Sequence, residues 1–303
     1  MNEKVSFLSA FFGVCSGVAV FHRLRFQSWG RTIFHVILLA VLASLVITSG
    51  EMRRRRPAIR AAAGAFAAVF GNKVLNAPEG LLPEKQPGVA RSIVLPGDGL
   101  LCYFPKGRPT LSAEQLEKCL YLVFWAPRGF ATAVRRDADS WTASTAMPGS
   151  GRVELTGNRT LTSAGLLRLE LDPPGKWDIE GRDSFTVKEL AGTCAAILRV
   201  GLLVENLLLT ILLPFLYTAV FCGMFRLTAA GRAPRRLRGS EFWKIGLYAG
   251  FPALAVASAF PALDLPLFSL GTVYMIGLLI YWLYVTARLE RDLAEREKEM
   301  HHE

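Results

Sequence analysis

Arg199, Glu205 and Asn206 stand together in an otherwise apolar part of the chain, within about two helical turns of one another. Ionisable groups inside a membrane segment are costly and commonly functional, so a guanidinium, a carboxylate and an amide at this spacing could hold a polar solute or pass a proton. The simpler expectation is interfacial anchoring, with Arg199 at headgroups and Glu205 at water, because no other apolar stretch offers Glu205 a charged partner. Cys102 and Cys119 are the second candidates. They lie together in the polar part of the chain and could form a disulfide in an oxidising compartment. Cys15, Cys194 and Cys222 lie in or beside apolar runs, where a thiol acts as a small filler.

Basic residues form the third group. Arg53, Arg54, Arg55 and Arg56 directly follow an apolar run, and Arg23, Arg25, Arg31, Arg235, Arg236 and Arg238 flank others. Such residues suit lipid phosphates at a membrane interface. Nucleic acid is not expected, because basic and aromatic residues do not alternate as a base-stacking surface requires. The usual catalytic signatures are missing: HExxH, a Walker loop, GxSxG and paired CxxC are all absent. Two of the four histidines close the chain as "HHE", and His35 is expected to be a packed residue. Neither a metal, a cofactor nor an enzymatic activity is implied.

The elements that position these residues follow from hydropathy. The chain has 303 residues, 51% of them hydrophobic. Uncharged runs cover residues 32–50, 206–225, 245–263 and 265–287, and about 20 apolar residues suffice to cross a bilayer. Residues 5–21 form a shorter run that could be a signal core, a short span or a half-buried surface helix. The last is expected, because "HRLRFQSWGR" and a better span follow in place of a cleavage motif.

Orientation follows from Lys and Arg in the short loops. Four spans with an internal N-terminus put fourteen basic residues on the cytoplasmic side and leave only Arg53, Arg54, Arg55, Arg56 and Arg60 against the rule. The expected fold is an α-helical membrane bundle of four transmembrane helices with an inserted small extracytoplasmic α+β domain. Residues 1–31 form a cytoplasmic or interfacial segment and 32–50 the first span. Residues 51–190 form the outer domain, 191–287 three more spans with a basic cytoplasmic loop at 226–244, and 288–303 a charged cytoplasmic tail. Both termini are then cytoplasmic.

Within the outer domain, Pro57 suits the first turn of an Ala-rich helix. "RSIVLPGDGLLCYF" reads as two strands about a turn, and Ser112 with Gln115 as a capping box. "YLVFWAP", "GFATAVRR" and "RVELTG" read as strands, while "LTSAGLLRLEL" fits helix or strand. A second capping box, Thr186 with Glu189, opens a helix expected to run to about Phe225. The last two spans are expected to form a tight hairpin joined by "LDL", and Gly246 with Gly250 makes a GxxxG pair. Such a pair serves packing within the chain or a homo-oligomer. The expected partners are therefore the lipid bilayer and a membrane protein of unknown identity, with a second copy through Gly246 and Gly250 as the alternative to packing within the chain.

Two stretches, "RFQSWGRTIFHVILLAVLASL" and "GSEFWKIGLYAGFPALAVASAFPALDLPLF", resemble a bacterial membrane family catalogued as domain-of-unknown-function family 1189. The matching positions are Arg25, Gly30, Arg31, Trp243, Tyr248 and Pro252. The resemblance implies a short amphipathic segment, an Arg-rich entry to the first span, an extracytoplasmic domain and three further spans. Some members carry a maltodextrin-utilisation label, which implies an accessory role near carbohydrate uptake. It supplies no catalytic residues. The resulting expectation is a ligand- or partner-binding accessory, scaffold or sensory component, with a small transporter or permease subunit as the alternative.

Overall fold

The computed structural model describes residues 4–106, 111–148, 153–169, 171, 182–228, 237–263, 265 and 269–300. The chain opens with α1 (Phe7–Ser16), capped by the Ser6 hydroxyl, which accepts from the Ser9 N–H, and α2 (Phe21–Leu24). Ten residues rise only about 15 Å, half a hydrocarbon core. Ala10 and Val14 are buried while Leu8 and Phe12 are exposed, so α1 is half-buried and residues 5–21 do not form one long helix.

The helix α3 (Trp29–Phe70) runs unbroken through the arginine run. This corrects the expectation that Pro57 opens a separate helix. A proline inside a helix removes one N–H, and the Ala-rich turns beyond it carry the helix on. Next come the strands β1 (Lys73–Ala77), β2 (Gly80–Pro83), β3 (Arg91–Leu95) and β4 (Gly99–Tyr103). Gly80 has φ +126, and a Cβ there would lie 2.0 Å from the carbonyl oxygen of Pro127, so only glycine closes the tight β1–β2 turn.

The short helix α4 (Ala113–Lys118) carries the expected capping box, with Gln115 N–H donating to the Ser112 hydroxyl at 3.1 Å and Ser112 N–H to the Gln115 side chain at 3.0 Å. The strands β5 (Tyr121–Ala126), β6 (Gly129–Asp137), β7 (Ser140–Pro148) and β8 (Val153–Thr162) follow. "LTSAGLLRLEL" resolves into the end of β8 and α5 (Ser163–Leu167), which Thr162 caps. The strand β9 (Ser184–Thr186) leads into α6 (Val187–Thr228), where Glu189 N–H donates to the Thr186 hydroxyl at 3.2 Å. Its 42 residues rise about 63 Å. The helices α7 (Gly239–Ala262) and α8 (Leu270–Met300) complete the chain. The start of α8 lies later than the expected 265, because Ser269 caps it by accepting from the Thr272 N–H; residue 264 falls outside the described residues.

Among the described residues, four helices are long and apolar enough to cross a membrane: α3, α6, α7 and α8. Contacts divide the chain into a helical unit, Met1–Arg54 with Leu198–Glu303, and a sheet unit, Arg55–Ile197.

In the helical unit α7 is central: 61% of its apolar window is buried, against 28% for α6 and for α8. The α3 ring of His35 bonds Tyr248 of α7, and farther along both helices Gly50 meets Ala262, so α3 and α7 run in the same direction. Asn206, near the start of the α6 span, meets Thr48 near the end of the α3 span, so α6 runs oppositely.

In the sheet unit β1 pairs with both β2 and β9, and the larger sheet has the order β3-β4-β5-β6-β7-β8. Every pairing is antiparallel except β4 with β5, whose connection contains α4. Its strands β4 and β5 are apolar on both faces. Leu100, Leu122, Phe124 and Trp141 pack with Leu116 of α4 and Leu166 of α5. The alternate residues Ile93, Tyr103 and Trp125 pack with Phe66 and Phe70 of α3 and Leu190 of α6.

A Cβ at Gly50 would lie 2.5 Å from the Ala262 Cα, so the α3 and α7 backbones touch there. Gly50→Val is expected to destabilise the bundle by about 1–3 kcal/mol through overpacking. At Gly64, where nothing lies within 4 Å, Gly64→Ala is expected to stabilise by about 0.5–1 kcal/mol. Thermal unfolding of the two purified variants in one detergent checks the opposite signs.

Candidate functional site

Between the second face of the large sheet and the helix segments that cover it lies a cavity of about 550 Å³. It lies wholly within the sheet unit. From α3 come Ile59, Ala62, Ala63 and Phe66, one face at the i, i+3, i+4, i+7 spacing. From α6 come Leu190, Ala191 and Cys194, and from the sheet Leu101, Val123 and Trp125. Alanines on both helices create the space: a larger side chain at Ala62, Ala63 or Ala191 would occupy it.

Trp125 forms the aromatic floor. Its ring lies nearly parallel to Phe66 at 5.6 Å and to Phe130 at 6.1 Å, while its indole N–H donates to the Leu81 carbonyl at 3.1 Å. That bond satisfies the one strong donor in the wall, so the lining offers hydrocarbon contact and no charged group. The volume falls within the usual 300–1,000 Å³ range of small-molecule sites. Its chemistry is burial of an apolar group; no nucleophile with a base is among the lining residues.

Of the three polar residues first considered, only Asn206 turns inward. Its side-chain amide donates to the Thr48 hydroxyl at 3.1 Å and to a Glu51 carboxylate oxygen at 3.2 Å. One turn on, the Thr210 hydroxyl lies 2.7 Å from the Asn206 carbonyl of its own helix and 3.2 Å from the Ala40 carbonyl of α3. Arg199 and Glu205 are exposed. The structure therefore brings Asn206 to Thr48 and Glu51, which the sequence reasoning passed over. Their signal was available: Thr48 and Glu51 stand three apart on α3, and Asn206 and Thr210 four apart on α6, as polar rows on apolar helices.

The basic residues divide. Arg23, Arg53, Arg54, Arg55 and Arg56 are exposed, and so is Arg238, which precedes α7. Arg25 is turned in, 3.7 Å from the Glu241 carboxylate and over the ring of Phe26. It is thus mostly an internal partner of α7, where a headgroup contact was expected. Nearby, His22 meets Asp292 at 3.2 Å and Lys244 donates to the Gln27 carbonyl at 2.6 Å. Arg31 is half-buried, and Arg235 and Arg236 lie outside the described residues. Gly246 and Gly250 face Thr218 and Tyr274 of the same chain, so the GxxxG pair serves packing within the bundle.

Cys102 and Cys119 share the core beneath α4 as free, buried thiols. Burial, and then the neighbouring Cys119, pushes Cys102 up to about 12. Burial also raises Cys119, which Arg135 partly offsets. Tyr103, donating to the Pro87 carbonyl at 2.6 Å, is pushed up to about 12 by burial. Among the described residues, no group of three or more His, Cys, Asp or Glu side chains could hold a metal ion. Comparison with protein-family models, curated proteins and solved structures found no match.

Two outcomes follow for the thiols. In the folded chain maleimide is expected to modify the exposed Cys15 and Cys194 first, with Cys102, Cys119 and Cys222 reacting only after denaturation, as peptide mass mapping would record. Cys102 ionises from 9.0 in its ordinary state but near 12 when folded. Its contribution is therefore constant below 9.0 and is lost as pH rises toward 12, because the unfolded thiol gives up its proton first. Cys102→Ala is expected to flatten the alkaline fall of the melting temperature, measured by tryptophan fluorescence.

Proposed function

We propose that this chain is a bacterial inner-membrane protein whose sheet unit lies outside the cytoplasm and binds an apolar ligand or partner segment, as an accessory or sensory component without catalytic turnover. The observation that carries the proposal is the cavity of about 550 Å³, walled by apolar side chains on a sheet that could otherwise have been closed by packing. A half-open apolar surface of this size, left uncovered by alanines at three helix positions, is what a hydrocarbon guest needs.

Orientation rests on the fourteen basic residues that four spans with an internal N-terminus gather on one side. The contacts of His22 with Asp292, Arg25 with Glu241 and Lys244 with Gln27 support it, because they bring the N-terminal segment, the start of α7 and the end of α8 to the same end of the bundle. The resemblance to domain-of-unknown-function family 1189 points the same way and suggests a place beside a carbohydrate permease. The alternative, a small transporter or permease subunit, draws on Thr218, Tyr274 and Trp282. Their hydroxyl or indole groups are buried in the bundle without a hydrogen-bond partner among the described residues and would line a polar path.

Two measurements test the proposal. In a background with Cys15→Ser and Cys194→Ser, Gly88→Cys in the exposed β2–β3 connection should react with a membrane-impermeant maleimide on intact spheroplasts. Labelling that requires lysis would place the sheet unit in the cytoplasm. With the full chain in lipid nanodiscs, a long-chain alkane bearing a diazirine should crosslink to peptides containing Leu101 or Val123. Ala63→Trp or Ala62→Phe should reduce that adduct at least tenfold, and adducts confined to the spans would remove the cavity from the proposal.

A further inference from the structure

We infer that the cavity takes one acyl chain of an anionic phospholipid, with the phosphate held by Arg55 and Arg56. This rests on the proposal that the cavity binds an apolar ligand, and adds the chemistry of the ligand's other end.

Helical geometry supplies the first argument. The lining face of α3 begins at Ile59. Arg55 and Arg56 precede it by four and three residues, so they bracket the same face one turn nearer the start of the helix. A ligand with its chain along Ile59, Ala62, Ala63 and Phe66 would carry its head toward those two guanidinium groups.

The second argument is charge. Arg55 and Arg56 are exposed, and no acid pairs with either among the described residues. The nearest carboxylate on their own helix, Glu51, accepts from Asn206. Two adjacent exposed arginines, neither in an ion pair among the described residues, stand beside an uncharged lining and complement a single anion attached to hydrocarbon. Guanidinium groups match phosphate oxygens in bidentate geometry.

Volume admits such a chain. A methylene takes up about as much space as a water, about 30 Å³, so a cavity of about 550 Å³ has room for one chain of about eighteen carbons, an ordinary lipid length. The second chain of a phospholipid would stay outside. On α6 the lining residues Leu190, Ala191 and Cys194 continue into Ile197, which is 67% exposed, and Leu198. This apolar ramp leaves the cavity along the helix that becomes a span, and carries no charge before Arg199.

The test uses the full chain in phosphatidylcholine nanodiscs containing a trace of lipid with a diazirine near the end of one chain. The probe is phosphatidylglycerol in one arm and phosphatidylcholine in the other. Crosslinking to the Leu101 and Val123 peptides should be at least fivefold greater for phosphatidylglycerol. Replacing both arginines (Arg55→Gln with Arg56→Gln) should bring the two lipids to equal yield, while Arg55→Lys with Arg56→Lys should keep most of the preference. Accessibility of Gly88→Cys on intact spheroplasts, measured before extraction, reports correct insertion of each variant. Equal yields in the unaltered chain would overturn the inference while leaving the apolar cavity in place, provided the uncharged alkane still crosslinks. Loss of crosslinking by the alkane as well would remove the cavity proposal itself. A preference that survives the glutamine pair would overturn the role of these arginines.

Discussion

The strands β4 and β5 of the large sheet are apolar on both faces, and strands of that kind are stable only if both faces are covered. One face is served by the short helices α4 and α5, which arise within the sheet's own connections. Among the described residues the other face is met by Val74, Leu81 and Phe185 of the small sheet, and by residues 65–70 of α3 with Leu190 of α6, the far ends of helices whose other turns are apolar enough for a membrane. The need to cover this face explains why α3 and α6 each run to 42 residues, about twice what a span requires. It also explains the cavity: α3 and α6 cover this face with alanines at several facing positions, and the cover remains incomplete.

The helical unit solves a different problem. Apolar surface offers no preference between helices in lipid, so close approach and hydrogen bonding must select the arrangement. Gly50, Gly246 and Gly250 supply the approach, each where another helix would collide with a Cβ. Asn206, Thr210, Thr48 and Glu51 supply the hydrogen bonds that tie α3 to α6. Charged contacts gather at the opposite end of the bundle, where Arg25 and Glu241 are largely withdrawn from solvent. A pair buried in this way contributes specificity of arrangement more than net stability, since desolvation offsets much of its attraction.

Much of this was legible in the sequence, for physical reasons that differ by element. The spans declared themselves because a bilayer demands long runs without charge, and α4 and α6 because their capping boxes are local. Strands β3 to β6 were readable from turns and alternation. Strands β1, β2, β7 and β9 were passed over: β9 is only three residues, and "SWTASTAMP" of β7 has too many small residues to show a period. Pro57 misled because its local preference for a first turn was overridden by a helix already under way. The cavity was illegible for a deeper reason. "LLCYF" and "LVFWA" signal burial on both faces, but which residues cover them is decided by segments some thirty to ninety positions away. Asn206 was seen as polar; its partner Glu51 was hidden among the arginines that follow it.

The pairing of β1 with β9 joins the two ends of the sheet unit, Lys73 opposite Thr186, directly after α3 and directly before α6. Everything between them begins and finishes at one point. The entropy of closing such a loop grows only with the logarithm of its length, so strands could be gained or lost inside the clasp at little cost to its closure. The two-strand clasp therefore makes the insert a cassette: its content can diverge while the helices on either side keep their spacing. In biosynthesis the same feature imposes an order. The β1 strand emerges long before β9, and the clasp closes only after the whole cassette has been made.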